Sequence, residues 1–183
     1  MNIKQGVADC GRTPTRRQLI AGVAIALGGM AAGPGAWGQS QQPAMQEKES
    51  TGADKLRTYL HREADLHTAP QRIYEALLDS KQFAAFSGFP AEIDPKAGGA
   101  FSMFGGLITG RNVELVPNAR IVQAWRPESW PKGVYSIVKF VFSVEGPGTR
   151  VVLDHTGFPE GKFAGLDSGW TEHYFEPLKK FFP

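Results

Sequence analysis

Between Val134 and Thr156 the sequence spells out a long antiparallel hairpin. Val134, Val138, Phe140, Phe142 and Val144 fall on one face of the first arm, with Tyr135, Lys139 and Ser143 on the other. Gly146-Pro147-Gly148 reverses the chain, and Val151, Leu153 and His155 share a face of the second arm. A slip of one residue would carry every apolar side chain to the opposite face, so the pattern demands a sheet with one buried side and a layer to cover it.

The flanking segments supply the rest of the sheet and the cover. Tyr59 to His67 reads as a strand, without glycine or proline. Thr68-Ala69-Pro70-Gln71 predicts a helix start, with Thr68 accepting from the Gln71 amide and Pro70 in the first turn. That helix runs to about Leu78, and a second short one ends at Ser87-Gly88; Ile73, Ala76, Leu77, Phe83 and Phe86 turn toward the sheet. Strands follow over Ala100 to Phe104, Gly110 to Val116 and Arg120 to Arg126, punctuated by Gly98-Gly99, Gly105-Gly106 and Pro117-Asn118. A final helix from a Ser168 cap to Phe182 spaces Trp170, Tyr174, Leu178 and Phe181 along one stripe and sets His173 to the solvent side. Pro177 predicts a kink there, because it removes a backbone bond and crowds the carbonyl of His173.

The N-terminus carries an address. Thr15-Arg16-Arg17-Gln18-Leu19-Ile20 ahead of the uncharged stretch to Gly38 resembles a twin-arginine export signal. Gly22, Gly28, Gly29, Gly33, Pro34 and Gly35 dilute the stretch below what a spanning helix of about 20 apolar residues needs. Ala36-Trp37-Gly38 offers a cleavage point before Gln39, giving an expected signal peptide over 1–38, a flexible leader over 39–56 and one domain over 57–183. The reading implies a periplasmic or secreted protein that meets the export machinery through Arg16 and Arg17 and keeps no membrane span after cleavage. The formal charge of the whole chain is +2. Lys4, Arg12, Arg16 and Arg17 belong to the address, so the domain itself is close to neutral, which argues against nucleic acid as a partner. Cys10, the sole cysteine, lies in the same segment, and the domain has neither a disulfide nor a thiol nucleophile.

Strand, two short helices, a run of strands and a closing aromatic helix describe an α+β helix-grip arrangement, a curved antiparallel sheet wrapped around a long C-terminal helix. The chain resembles the START-like superfamily, which includes the birch-pollen allergen, polyketide cyclases and lipid-transfer domains. Within it the chain is most similar to the family named after the C-terminal domain of the activator of heat-shock protein 90 ATPase. The resemblance is carried by Ala69-Pro70 through Tyr74, Gly98-Gly99-Ala100-Phe101, Gly110 through Pro117, Ile121 through Trp125, Gly148-Thr149 through Phe158, and Gly169-Trp170 with Leu178. It implies a cavity between sheet and final helix that holds a small hydrophobic or amphipathic molecule, lined here by Phe101, Met103, Trp125, Phe140, His155, Trp170 and Tyr174. The same side chains could instead fill the core.

Relatives tend to carry apolar residues and an arginine on the inward face of the first strand; counting back from Ala69, the equivalent positions here are His67, Asp65, Glu63 and His61. Three readings stay open: a wet face with Leu60, Ala64 and Leu66 buried instead, a polar wall for a ligand head group, or a metal site completed by His155. The spacing matches no zinc signature, and neither a metal nor another cofactor is expected. His155, in phase with Val151 and Leu153, faces inward, as an acid/base group or as a satisfied core histidine. No nucleophile elbow, phosphate loop or His-Glu-x-x-His motif is present. The expectation is therefore a binding domain, with a cyclase-like enzyme or a chaperone-type interaction module as alternatives.

Overall fold

The computed structural model describes residues 52–183; the expected signal peptide over 1–38 and the rest of the chain up to Thr51 lie outside the described residues. A helical turn, α1 (Gly52–Lys55), precedes β1 (Tyr59–Leu66), α2 (Pro70–Leu78) and α3 (Ser80–Ser87). Six strands follow in a meander: β2 (Glu92–Ile93), β3 (Ala100–Met103), β4 (Ile108–Val116), β5 (Arg120–Pro127), β6 (Ser136–Glu145) and β7 (Gly148–Thr156). The closing rod comprises α4 (Phe163–Trp170), a π-helical turn (Thr171–Phe175) and α5 (Glu176–Phe181). Part of the expected leader is thus structured, since Lys55 accepts from the Gly161 amide at 2.8 Å and Arg57 lies over the Phe163 ring.

All seven strands pair antiparallel in the order β1-β7-β6-β5-β4-β3-β2, so the first strand lies beside the last. The expected hairpin is β6 and β7, with Val138 opposite His155 and Phe140 opposite Leu153. Gly146, at φ 54, supplies the positive φ that a two-residue turn requires ahead of Pro147. The inner face of the sheet presents Leu60, Leu66, Phe101, Met103, Ile121, Trp125, Val138, Phe140, Phe142, Val151 and Leu153 to the core. Ile73, Ala76 and Leu77 cover it from α2, and Trp170, Tyr174, Phe175 and Leu178 from the closing rod. Phe83 and Phe86 of α3 reach that rod as well, their rings 5.8 and 6.3 Å from Tyr174. Gly110 has no alternative at its position: a Cβ there would strike the Phe101 ring and the Ala124 carbonyl.

Several local expectations are corrected. Val144 keeps its phase but sits at the hairpin tip, 73 % exposed. The cap of α2 is Ala69 rather than Thr68, whose carbonyl accepts from Thr149 Oγ1 at 2.6 Å. Asp79 makes the side-chain cap instead, at the start of α3, where it accepts from the amides of Lys81 and Gln82. The rod begins at Phe163, and Ser168 lies inside it with its hydroxyl bonded to the carbonyls of Ala164 and Gly165. The break expected at Pro177 takes the form of the wide turn just before it, closed by the Glu176 amide on the Thr171 carbonyl. His173 in that turn is half-buried, edge-on to Phe104 and Phe89. Phe104 holds φ 54, a costly conformation for a bulky side chain, and packs its ring against Phe83 and Tyr174.

Candidate functional site

The seven residues expected to line a cavity do come together, under the closing rod. Met103 reaches in from β3, Trp125 from β5, Phe140 from β6, His155 from β7, and Trp170 and Tyr174 from the rod, with Phe101 beside them. They fill the space they were expected to enclose. Trp125 stacks on Trp170 at 4.8 Å, Tyr174 lies 4.5 Å from Trp170, and Phe140 meets Trp170 edge-on at 5.7 Å. Each of the seven is at most 4 % exposed. Rings in such contact, each almost wholly buried, form packed interior.

A chain of hydrogen bonds runs through this aromatic cluster. The Trp170 indole N–H donates to His155 Nδ1 at 3.1 Å. An indole nitrogen can only donate, so Nδ1 is the acceptor and the ring proton sits on Nε2, which donates to Ser136 Oγ at 2.7 Å. The Ser136 hydroxyl passes its own proton toward the Trp125 carbonyl at 3.4 Å. Burial pushes the His155 imidazole down to about 3, so the ring is neutral at ordinary pH. With both ring nitrogens engaged and no exposed surface, His155 in this closed form meets no substrate as acid or base. Ser136 completes the chain, and the alternation of β6 already placed it in phase with Val138 and Phe140.

The polar row of β1 lies elsewhere. Leu60, Arg62, Ala64 and Leu66 take the inward register, which gives this strand the apolar face with an arginine; His61, Glu63 and Asp65 point to the outer face, and His67 is exposed beyond the strand. Arg62 reaches the rim of the sheet–rod layer and pairs with Asp167. Although β1 and β7 are neighbours, His155 stands opposite Leu60 and faces away from the row, so these five groups cannot share an ion or a head group. Among the described residues no cluster of three His, Cys, Asp or Glu side chains is arranged to hold a metal. The row has surface partners instead. His61 bonds Asp154 at 2.8 Å and Glu63 at 3.2 Å, Lys139 pairs with Asp154, and Arg150 with Asp65. The hydrogen bond to Asp154, then that to Glu63, raises the His61 imidazole above its ordinary value. Burial works to lift the Asp154 carboxyl, but hydrogen bonds from Lys139 and His61 outweigh it and hold it low.

The fold and this filled interior define a helix-grip domain of the START-like architecture with a closed aromatic core. The chain belongs to the family described as Activator of Hsp90 ATPase homolog 1-like protein, whose profile matches residues 67–182. It is 34 % identical over 119 residues to an activator of 90 kDa heat shock protein ATPase homolog from Dictyostelium discoideum, covering 64 % of this chain and 31 % of the relative. Against homolog 1 from Homo sapiens it is 30 % identical over 115 residues, covering 63 % of this chain and 34 % of the relative. The chain thus spans about a third of the length of these curated relatives. An HSP90 activator from Plasmodium falciparum superposes with a TM-score of 0.65 at 27 % identity, over 68 % of this chain and 96 % of that one. CalU16 from Micromonospora echinospora shares the fold, with a TM-score of 0.60 at 22 % identity over 68 % of this chain and 75 % of that one.

Proposed function

We propose that this domain is a protein-interaction module that works outside the cytoplasm, in the periplasm or beyond. The observation that carries the reading is the closed interior: the side chains that would hold a small molecule are spent on one another. The outer face of the sheet, by contrast, leaves apolar side chains in water, with Tyr135 51 % and Ile137 41 % exposed. The names of the curated relatives point the same way, since an activator of a chaperone ATPase acts on a protein. Export rests on Arg16-Arg17 and the diluted apolar stretch that follows. An exported chain meets an envelope protein rather than a cytosolic chaperone.

One observation favours a second reading, a binder of a small hydrophobic molecule. Trp125 Nε1 is buried with no acceptor in reach. A guest bearing a carbonyl or hydroxyl, admitted by displacement of the closing rod, would satisfy it. The two readings part in one experiment. A benzophenone amino acid in place of Ile137, in the full chain expressed in cells, is expected to yield a discrete protein adduct in the envelope fraction on irradiation. No adduct there, together with a small molecule released from the purified native protein, would move the function to the interior.

A further inference from the structure

The arginines of the described residues fall into two groups. Arg57, Arg62, Arg120 and Arg150 pair with Asp54, Asp167, Glu114 and Asp65, and Arg72 lies over the ring of Phe182. Arg111 and Arg126 have no carboxylate within ion-pair distance among the described residues. Both stand on the outer face of adjacent strands. Arg111 is opposite Ala124 and Thr109 opposite Arg126, so the two guanidinium stems are diagonal neighbours, about 7–8 Å apart at their bases. Of the outer-face carboxylates around the pair, Glu114 holds Arg120 with both oxygens, Asp94 pairs with Lys96, and Asp154 is taken by Lys139 and His61, while Glu92 stands on the edge strand β2, three strands from Arg126.

A shallow groove opens beside Arg111, lined also by Ala100, Thr109, Ala124 and Tyr135, and Arg126 lies at its edge through its bond to Thr109. Ala100 and Ala124 flank Arg111 on the neighbouring strands, so the floor is low and the guanidinium stands above it. Arg126 is held in place by the Trp130 carbonyl at 3.3 Å and by Thr109 Oγ1 at 3.5 Å, while the Arg111 side chain makes no bond within the domain. Tyr135 forms one wall, and Ile137 sits opposite Ala124 just beyond. Arginine and tyrosine are among the residue types that dominate binding energy at protein interfaces, and here two guanidinium groups without a carboxylate partner among the described residues stand beside the exposed Tyr135 and Ile137.

We propose that this groove docks an acidic segment of a protein partner, with Asp or Glu carboxylates on Arg111 and Arg126 and an aromatic or apolar neighbour against Tyr135 and Ile137. The assignment rests on the protein-interaction reading above and names the chemistry of the partner. The open shape selects a segment over a small anion. A free carboxylate on two solvated arginines gains little, whereas a chain crossing β3 to β6 also buries Tyr135 and Ile137.

The test is fluorescence anisotropy of the full chain with a labelled synthetic peptide of alternating Asp, Glu and Tyr. Binding that weakens with added salt is expected, and Arg111→Glu or Arg126→Glu should weaken it about tenfold or more. Lys139→Glu, an equal change of charge on the same face outside the groove, should leave it nearly unaltered. Arg111→Gln repeats the test without introducing a new charge, and circular dichroism checks that each variant is folded. No binding, an equal loss with Lys139→Glu, or full competition by inorganic phosphate would overturn the docking assignment. Persistence of the Ile137 adduct in the Arg111→Glu, Arg126→Glu chain would end the groove assignment while leaving the interaction reading standing; absence of any adduct in the unaltered chain would end that reading itself.

Discussion

Trp170 and His155 are joined by a 3.1 Å hydrogen bond from the indole N–H to Nδ1, inside a cluster from which water is excluded. The bond fixes the histidine tautomer, and through Ser136 it ties the closing rod to β5 and β6.

Trp170→Phe keeps a ring against Trp125 but leaves Nδ1 without a donor, which should cost about 1–3 kcal/mol. Trp170→Ala also empties the stack and should cost about 3–5 kcal/mol. Urea unfolding of the two variants measures both. Equal, small losses would mean that the indole borders open space.

Acid should loosen the domain through His155. Its folded value is about 3, below the ordinary histidine value of about 6.5, so between those limits the unfolded chain takes up a proton that the folded ring refuses. The stabilising contribution is complete above about pH 6.5 and is lost as pH falls, at up to about 1.4 kcal/mol per unit. His61 works in the opposite sense: its raised value makes its contribution complete below the ordinary histidine value and lost as pH climbs through the raised one. Urea midpoints followed as the pH is lowered should fall more steeply for the unaltered chain than for His155→Gln, and parallel profiles would refute the assignment.

Gly110→Ala places a methyl group where the Phe101 ring and the Ala124 carbonyl already lie. A destabilisation of about 1–3 kcal/mol is expected, partly relieved when Phe101→Leu is added. Thermal melts of the single and double variants check it; a neutral Gly110→Ala would show that β4 gives way easily.

Replacing Arg16 and Arg17 together by lysine should leave an unprocessed precursor in the cytoplasmic fraction, with the shortened form missing from the envelope. Immunoblots of fractionated cells read this out. An unchanged distribution would remove the export reading without touching the fold.

The strongest periodicities were the most legible in the sequence. β6 and β7 alternate cleanly, and their register follows from one buried face. On the first strand the wet-face alternative is the one the structure shows, with Leu60, Ala64 and Leu66 inward; only the count back through Ala69 lands on the wrong face, because Thr68 bonds back to the Leu66 carbonyl in a tight turn that breaks the alternation. Charges at Arg62 and along the outward row left neither face of that strand plainly apolar. The membership of the cluster under the rod was readable from phase alone. Whether it encloses space was not, because the same phases serve a lined cavity and a filled one, and only the volumes of Trp125, Phe140, Trp170 and Tyr174 meeting in three dimensions decide it. Arg111 and Arg126 could not have been singled out from the sequence, since their distinction lies in which other arginines found partners.

Native mass spectrometry of the protein purified from cells tests the central claim most directly. A filled interior predicts a single species at the mass of the polypeptide alone, with nothing released on collisional activation. A stoichiometric small molecule that leaves the protein only as it unfolds would contradict the account and return the function to the space beneath Trp170.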